Sequence, residues 1–221
     1  MSEPRDTGPA LSDCAFVERR DAEGRLVERA EFHRGVLDGI TAVFAPSGLM
    51  LHEMHFARGQ PDGPMLVHDE NGGLLARLTW LAGALEGPAT IFNNGRLLVE
   101  MAFRAGLLNG EMRIYTEAGA LVSAATYRDG RLDGVMTVYR PDGSIMRTMD
   151  YVDGLLQGEA TDYDGQGAAR TRTLFKAGRR DGPLTEFDEE GHAVSRTMFS
   201  ADRQVGEKQS LNENRSRRRL W

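Results

Sequence analysis

Cysteine, lysine and long hydrophobic runs are nearly absent from this chain of 221 residues. Its one cysteine, Cys14, cannot form an intrachain disulfide and fits a reducing compartment. No apolar run approaches the roughly 18–20 residues of a membrane-spanning helix. The opening Met-Ser-Glu-Pro-Arg-Asp lacks the apolar core of a signal peptide. These absences lead us to expect a cytoplasmic protein.

Positive charge is scarce except near the C-terminus. The net charge is −6, although residues 207–221 hold five basic and only two acidic residues, so the rest of the chain is more acidic than the net value indicates. Attraction to phosphate supplies most non-specific affinity for nucleic acid. We therefore expect no nucleic-acid partner, and we do not expect membrane binding. The arginines of the C-terminal segment leave acidic lipid or nucleic acid as an alternative ligand.

The residues that are abundant recur with a regular period. One row of aromatic residues repeats every 24 residues, with a single spacing of 23, at Phe32, Phe56, Trp80, Phe103, Tyr127, Tyr151, Phe175 and Phe199. Most of the 26 glycines fall into three rows of the same period. A second aromatic row contains Phe44, Phe92, Tyr115, Tyr139, Tyr163 and Phe187, with His68 in one of its positions. Periods of this length are typical of repeat arrays, and frequent glycine excludes ordinary helices.

Each repeat has the pattern of a β-hairpin. In the repeat that begins at Tyr127, a first strand follows the second glycine, Gly134, and alternates apolar with other residues up to Tyr139. Arg-Pro-Asp-Gly143 predicts a type I turn closed by a left-handed glycine, and a second strand follows. In the 23-residue repeat, Asn94-Gly95 favours a two-residue turn. We predict an all-β, elongated single-layer antiparallel β-meander of about eight 24-residue hairpin repeats.

The pattern also divides the chain into three segments. Residues 1–12 are a polar, flexible lead, residues 13–206 form the array, and residues 207–221 form a disordered basic tail. An open sheet has exposed end strands, which invite edge pairing. We therefore predict a homodimer formed through an end strand.

The aromatic-x-x-Gly-x-x-x-Gly and aromatic-x-x-x-Gly-x-aliphatic rows resemble MORN-type repeats, in the variant found in the YwqK-like antitoxin and immunity family. The resemblance covers about residues 15–206. It implies a single-layer antiparallel array and, among bacterial members, neutralisation of a cognate toxin. The better-known MORN arrays carry an aromatic-x-Gly-x-Trp signature, whereas tryptophan occurs once in register here, at Trp80. The alternative is a scaffold or adaptor that binds a membrane surface or another protein.

Candidate partner-binding residues are those that differ between repeats while the frame stays constant. One such row is Glu53, Arg77, Glu100, Ala124, Thr148, Arg172 and Arg196. It is either a recognition surface or an ordinary solvated face. Two residues depart from their aromatic rows, His68 as a polar ring and Trp80 as the one tryptophan in register. The predicted partner-binding set is Glu53, His68, Arg77, Trp80, Glu100, Arg172 and Arg196.

Other polar patterns offer weaker hypotheses. If residue numbers of paired strands sum to about 120, His52 and His68 face each other and could hold a metal; otherwise His68 only fills an aromatic position. Acidic or amide residues precede the second glycine of most repeats, either as a ridge for a basic partner or as turn formers. They are Asp38, Asp62, Glu86, Asn109, Asp133, Gln157 and Asp181.

No catalytic constellation is evident in the sequence. Cys14 has no histidine near it in sequence, and no acid–base–nucleophile set converges. Gly165-Gln-Gly167 lacks the final glycine of a dinucleotide-binding loop. We predict a non-enzymatic binding protein without catalytic residues, cofactor or metal.

Overall fold

The computed structural model describes residues 14–211, and every regular element in that range is a β-strand. Tertiary contacts divide these residues into two units. The first comprises the described chain up to Gly95 together with Arg104–Gly106, and the second comprises Arg96–Phe103 together with the described chain from Leu107 onward. The predicted lead, residues 1–12, lies outside the described residues. No helix in residues 14–211 is long and apolar enough to cross a membrane.

The first unit is an antiparallel meander in which consecutive strands pair. Its strands are β1 Cys14–Arg20, β2 Leu26–His33, β3 Val36–Phe44, β4 Met50–Ala57, β5 Gln60–His68, β6 Leu74–Leu81, β7 Ala84–Leu85 and β8 Gly87–Asn93. Each strand from β1 to β5 pairs with the next, and β6 pairs with both β7 and β8, which together complete one hairpin arm.

The second unit repeats this arrangement. Its strands are β9 Arg96–Arg104, β10 Leu107–Leu108, β11 Gly110–Tyr115, β12 Leu121–Arg128, β13 Arg131–Tyr139, β14 Ile145–Val152, β15 Leu155–Tyr163, β16 Ala169–Lys176, β17 Arg179–Phe187, β18 Ala193–Ser200 and β19 Arg203–Ser210. β9 pairs with both β10 and β11, and the later strands pair consecutively. The prediction of an all-β, single-layer antiparallel hairpin meander is confirmed in each unit.

A single layer has no interior between sheets, so stabilisation comes from within the sheet. Among residues 14–211, no large side chain is fully buried, and the buried apolar residues are all alanines. Seven of the eight leading aromatics instead face a residue of the next strand, and such cross-strand pairs stabilise a sheet. Examples are Phe32 with Leu37, Trp80 with Leu85, Tyr127 with Leu132 and Tyr151 with Leu156.

The connection between repeats is shorter than the sequence predicts. Asp129 (φ 48°) and Gly130 (φ 79°) form a two-residue turn of type I′, after which β13 begins at Arg131. The predicted start of this strand after Gly134 is therefore wrong. Gly134 (φ 127°) lies inside the strand, at the register shift opposite Ala125–Tyr127. A bulge absorbs the second glycine without ending the strand.

Two other turn predictions are confirmed. The Arg140 carbonyl accepts a hydrogen bond from the Gly143 N–H at 2.9 Å, and the Arg140 N–H donates to the Ser144 carbonyl at 2.8 Å. With Gly143 at φ 84°, this is a type I turn closed by a left-handed glycine. Asn94 (φ 49°) and Gly95 (φ 73°) form the predicted two-residue turn.

The array also continues beyond its predicted end at residue 206. β19 extends to Ser210, where Gln209 faces Arg196 and Ser210 faces Ser195. Residues 207–210 are therefore ordered in a strand and are not part of a disordered tail. Their polar sequence has little strand preference, but the free edge of β18 supplies backbone partners that override it. Residues 212–221 lie outside the described range.

Candidate functional site

One line of side chains crosses the first unit from strand to strand. Glu53 lies directly opposite Ala42 on one side and Leu66 on the other. Directly opposed residues share a face of the sheet, so the whole line lies on one face. We call this line the ladder, and in the first unit it consists of Glu18, Arg29, Ala42, Glu53, Leu66, Arg77 and Thr90.

The ladder of the second unit has the same construction. It consists of Glu100, Arg113, Ala124, Thr137, Thr148, Thr161, Arg172, Thr185, Arg196 and Gln209. The variable row identified in the sequence thus supplies every second rung. The alternate rungs were missed because a 24-residue period links equivalent strands and not strand neighbours. The pairing register of each hairpin is the signal that identifies them.

The second aromatic row shares the face of the ladder. Tyr139 follows the rung Thr137 by two residues in β13, and side chains two apart in a strand point the same way. His68 follows the rung Leu66 in the same manner. Trp80 is three residues from Arg77 and therefore lies on the opposite face. The predicted residues on the ladder face of their own units are Glu53, His68, Arg77, Glu100, Arg172 and Arg196.

The first rungs of the second unit form a charge-compensated cluster. The Tyr115 hydroxyl donates to Glu100 Oε2 at 2.7 Å, and Arg113 Nη1 lies 3.9 Å from the same oxygen. The hydrogen bond to Glu100 raises the pKa of Tyr115. Arg113 Nη2 also contacts Glu111 Oε2 at 2.6 Å, and the charge of Glu111 raises the pKa of Arg113. These mutual contacts hold the side chains in place.

The last rungs of the second unit are cationic and less compensated. Arg172 Nε lies 3.4 Å from Glu159 Oε2, and its guanidinium lies 5.6 Å from the centroid of the Phe187 ring. Arg196 is exposed and makes no side-chain hydrogen bond or ion pair within residues 14–211. Arg77 of the first unit is likewise exposed and makes no side-chain hydrogen bond or ion pair within these residues. Guanidinium donors without an internal partner are available to a carboxylate on another molecule.

A concave region adjoins the ladder in the first unit. The cavity has a volume of about 360 Å³ and is lined by the rungs Arg29, Ala42 and Glu53 with Phe16 and Phe44 on either side. The Arg29 guanidinium lies 4.2 Å from the centroid of the Phe16 ring. This arrangement of an apolar wall beside opposite charges suits an inserted side chain of a partner.

The predicted facing pair of histidines is wrong. His52 lies opposite Val67, and His68 lies opposite Leu74. The register differs by one residue from the assumed one, which turns the two imidazoles to opposite faces of the sheet. They therefore cannot share a metal. Within the described residues the buried His68 Nδ1 has no hydrogen-bond partner, as expected for a polar ring in an aromatic position.

The acidic and amide residues before the second glycine act on turns. Four of them accept a hydrogen bond from the left-handed first residue of the following turn, at 2.8–3.3 Å: Asp62 from Ala82, Glu86 from Ala105, Gln157 from Ala177 and Asp181 from Ala201. These bonds tie successive repeats together. Of the two hypotheses for this row, the structural one accounts for these four side chains.

Two further groupings lie away from the ladder. Cys14 Sγ is 3.4 Å from His33 Nδ1 across the β1–β2 pair, a contact that sequence distance concealed. Asp188, Glu190 and His192 place ligand atoms within 4.8 Å of one another. There Asp188 Oδ1 already accepts the His192 N–H at 2.7 Å, as Asp164 does for Ala168 at 2.9 Å. The second grouping is thus the common turn of the array with an imidazole added.

Comparison of the sequence with protein-family models gave no match, and no curated protein matched it either.

Proposed function

We propose that this chain is an antitoxin or immunity protein that binds a cognate toxin through the ladder face. The observation that carries the proposal is the ladder itself, which places one side chain per strand on a single face of each unit. The charge of these rungs changes from Glu53 to Arg77 and from Glu100 to Arg196 while the hairpins around them keep one geometry. The resemblance of the repeats to those of bacterial antitoxins supports the class of partner.

The fixed frame is what makes the rungs suitable for recognition. Glycine turns, aromatic pairs and inter-repeat hydrogen bonds define the backbone, so a rung can change without altering the hairpin that carries it. A repeat array uses this separation to present a surface tailored to one partner.

The composition of the ladder face also suits a protein partner. In the second unit the exposed Arg196 shares the ladder face with aromatic residues such as Tyr139 and Phe187. Arginine and aromatic residues are enriched in protein interfaces and dominate their energetics. The ten rungs of the second unit span about 40 Å at the strand spacing of a sheet. That length accommodates a standard interface of about 800 Å² on each partner.

The test is co-expression with the product of the neighbouring gene. We expect the wild-type chain to restore growth of cells that express this product and to co-purify with it. The double variant Arg172→Glu/Arg196→Glu should lose rescue and bind at least about tenfold more weakly, because it places like charge against the partner. The control Arg19→Glu/Arg58→Glu makes the same change in net charge at exposed positions of the first unit outside the ladder.

Three outcomes would contradict the proposal. The first is that the product of the neighbouring gene is neither toxic nor bound by the chain. The second is that the ladder variant restores growth as well as the control variant does. The third is that the wild-type chain sediments with liposomes and binds no neighbouring protein, which would favour the membrane scaffold.

A further inference from the structure

A second line of exposed side chains flanks the two-residue turns of the second unit. It consists of the residues directly before and after each turn, and we call it the turn stripe: Leu107, Arg128, Arg131, Val152, Leu155, Lys176, Arg179, Ser200 and Arg203. All nine side chains are exposed. The residues of each flanking pair, such as Arg128 and Arg131, lie opposite each other and share a face. That face is the ladder face, since Arg128 lies four residues from the rung Ala124 in β12.

Stacked turns hold the stripe in place. The N–H of Gly154 donates to the Leu132 carbonyl of the preceding repeat at 2.7 Å, and that of Gly178 donates to Leu156 at 2.9 Å. A side chain of the stripe lies over the turn of the next repeat, Arg131 over Gly154 and Leu155 over Gly178. The stripe is therefore a continuous surface on one rigid row of turns.

Three of the five cations of the stripe have no ion-pair partner in the described part of the chain. Within residues 14–211, Arg131, Lys176 and Arg203 make no ion pair or side-chain hydrogen bond, whereas Arg128 pairs with Asp133 at 3.1 Å. Arg179 stands near Asp202. The backbone N–H of Arg180 is the main reason that the pKa of Asp202 is lowered, and the charge of Arg179 adds to the effect.

Further carboxylates near the stripe belong to the turns. Asp129 accepts a hydrogen bond from Asn109 Nδ2 at 3.2 Å, and Asp153 is the first residue of the following turn. With Asp133, Asp181 and Asp202, these carboxylates equal the five cations of the stripe in number, so the stripe is distinguished by its cations without an ion pair, Arg131, Lys176 and Arg203, and not by its net charge. These three cations make no ion pair within residues 14–211, although the net charge of the chain is −6.

The order of the residues along the stripe indicates the spacing of charged and apolar groups in a ligand that would fit it. Val152 and Leu155, 49% and 52% exposed, separate the cations Arg128 and Arg131 from the cations Lys176 and Arg179. The centres of the two basic groups are four strands apart, or about 19 Å. An extended polypeptide covers this distance in about six residues. At the far end, Arg179 and Arg203 line an open cavity of about 670 Å³ with Ser200.

We propose that the turn stripe binds an extended acidic segment of a protein in which two carboxylate groups flank an apolar centre. The carboxylates lie against the two basic groups, and the apolar side chains lie on Val152 and Leu155. Nucleic acid is disfavoured because the centre of the stripe is aliphatic and has no aromatic side chain on which a base could stack. The inference rests on the proposed function in that the segment is expected on the toxin.

The probe is a labelled peptide, Glu-Glu-Ser-Leu-Leu-Ser-Glu-Glu, titrated with the full-length chain. Its isomer Leu-Leu-Ser-Ser-Glu-Glu-Glu-Glu keeps the composition and removes the spacing. We expect the first peptide to bind about tenfold more tightly than the isomer, and the affinity to fall with added salt. Arg131→Glu/Arg179→Glu should weaken binding at least about tenfold, whereas the equally charged control Arg19→Glu/Arg58→Glu should not.

Circular dichroism tests whether the variants are folded. If Arg131→Glu/Arg179→Glu unfolds the chain, the neutral variant Arg131→Gln/Arg179→Gln takes its place. The inference would be overturned if the wild-type chain bound the two peptides with equal affinity. It would also be overturned if the stripe variant and the control variant bound the first peptide with equal affinity. Tighter binding, lost in the stripe variant, to vesicles with about 30% phosphatidylserine or to DNA of about 20 base pairs would overturn it as well. If the ladder variant still abolishes toxin binding in these cases, the proposed function stands without the stripe. If the peptide binds as expected but no neighbouring toxin is found, the stripe stands and the proposed function fails.

Discussion

The two units use one frame and present different surfaces. In the first unit one of the seven positions that flank the turns between repeats is a cation, whereas five of the nine equivalents in the second unit are cations. The seven positions are His33, Val36, Ala57, Gln60, Leu81, Ala84 and Arg104. The cavity against the ladder that is lined by Arg29 and Glu53 belongs to the first unit. Identical turn geometry in both units, with φ 47° at Ala82 and 49° at Ala177, shows that the frame does not cause this difference.

The periodic residues therefore determine the fold, and the residues that vary between repeats determine how the surfaces of the two units differ. Glycine and aromatic positions recur because each repeat needs the same bulge, turn and cross-strand pair. Exposed rungs such as Arg77 and Arg196, and the exposed residues that flank the turns, are not constrained in this way, since their side chains lie in solvent. Experiments on the frame should therefore affect both units alike, and experiments on charge should separate them.

The largest effect is expected at the bulge glycines. An alanine Cβ at Gly63 would lie 2.9 Å from His55 Cβ, and one at Gly134 would lie 3.2 Å from Thr126 Cβ, both at φ values near 120°. We expect Gly63→Ala and Gly134→Ala each to lower the free energy of unfolding by about 2–3 kcal/mol through backbone strain and crowding. Urea denaturation measures this effect.

The control for the bulge glycines is Gly143→Asn. Gly143 (φ 84°) has open space where a Cβ would lie, and asparagine tolerates the left-handed region. If Gly143→Asn costs as much as Gly134→Ala, the distinction between turn and bulge glycines is wrong. If the cost differs strongly between Gly63→Ala and Gly134→Ala, the two units do not share one frame.

An effect of intermediate size is expected from acid, which should destabilise the second unit more than the first. Burial raises the pKa of Asp162 in the second unit, but the ion pair with Arg147 and the hydrogen bond from Thr171 outweigh burial and lower it overall. Lys208 and Ser195 lower the pKa of Glu186. A carboxyl whose pKa is lower in the folded state stabilises the fold above its unfolded pKa of about 4. That stability is lost as the pH falls through the folded pKa.

The described part of the first unit has one carboxyl with a lowered pKa, the half-buried Asp21, whose hydrogen bond from Arg25 is the main cause. Hydrogen exchange should therefore show a larger loss of protection in β15–β19 than in β2–β6 when the pH falls from about 7 to about 3. The double variant Asp162→Asn/Glu186→Gln should reduce the difference. An equal loss of protection in both units would contradict the assignment.

The smallest effect is expected where alanine occupies the left-handed turn position. Ala82 and Ala177 have φ values of 47° and 49°. The left-handed conformation costs a non-glycine residue about 1–2 kcal/mol, and the entropy of glycine in the unfolded chain offsets about half of the gain. Ala82→Gly and Ala177→Gly should each raise the free energy of unfolding by about 0.5 kcal/mol in thermal or urea unfolding. A decrease in either unit would show that the turn there is not strained.

Much of the fold was predictable because it is local. Gly143 and Asn94-Gly95 specify their turns through backbone conformations that few other residues adopt, and the alternation around Tyr139 specifies its strand. The two-residue turn at Asp129–Gly130 was missed although Asp-Gly favours such a turn, because alanine or arginine replaces the aspartate in most other repeats. These residues do not signal a left-handed conformation on their own. The stacking of turns, and the hydrogen bonds from the first turn residue to a side chain of the preceding repeat, impose the left-handed conformation.

The candidate site was predictable only in part. The sequence identifies the rungs Arg77 and Arg196 as positions that vary, but not their neighbours across the sheet. A shift of one residue in register turns a side chain to the other face, which is why the predicted facing of His52 and His68 fails. Trp80 was included with Arg77 in the predicted partner-binding set because it is the one tryptophan in register, and alternation along β6 places it on the opposite face from Arg77.

By itself, the sequence determines a repeating antiparallel hairpin array. The spacing of glycine and aromatic residues is a local property that the backbone obeys wherever it occurs. Only the tertiary structure decides which side chains stand together, because strand register and turn stacking depend on hydrogen bonds between residues about 10–20 positions apart. The ladder, the turn stripe and the strand through Ser210 all arise at that level.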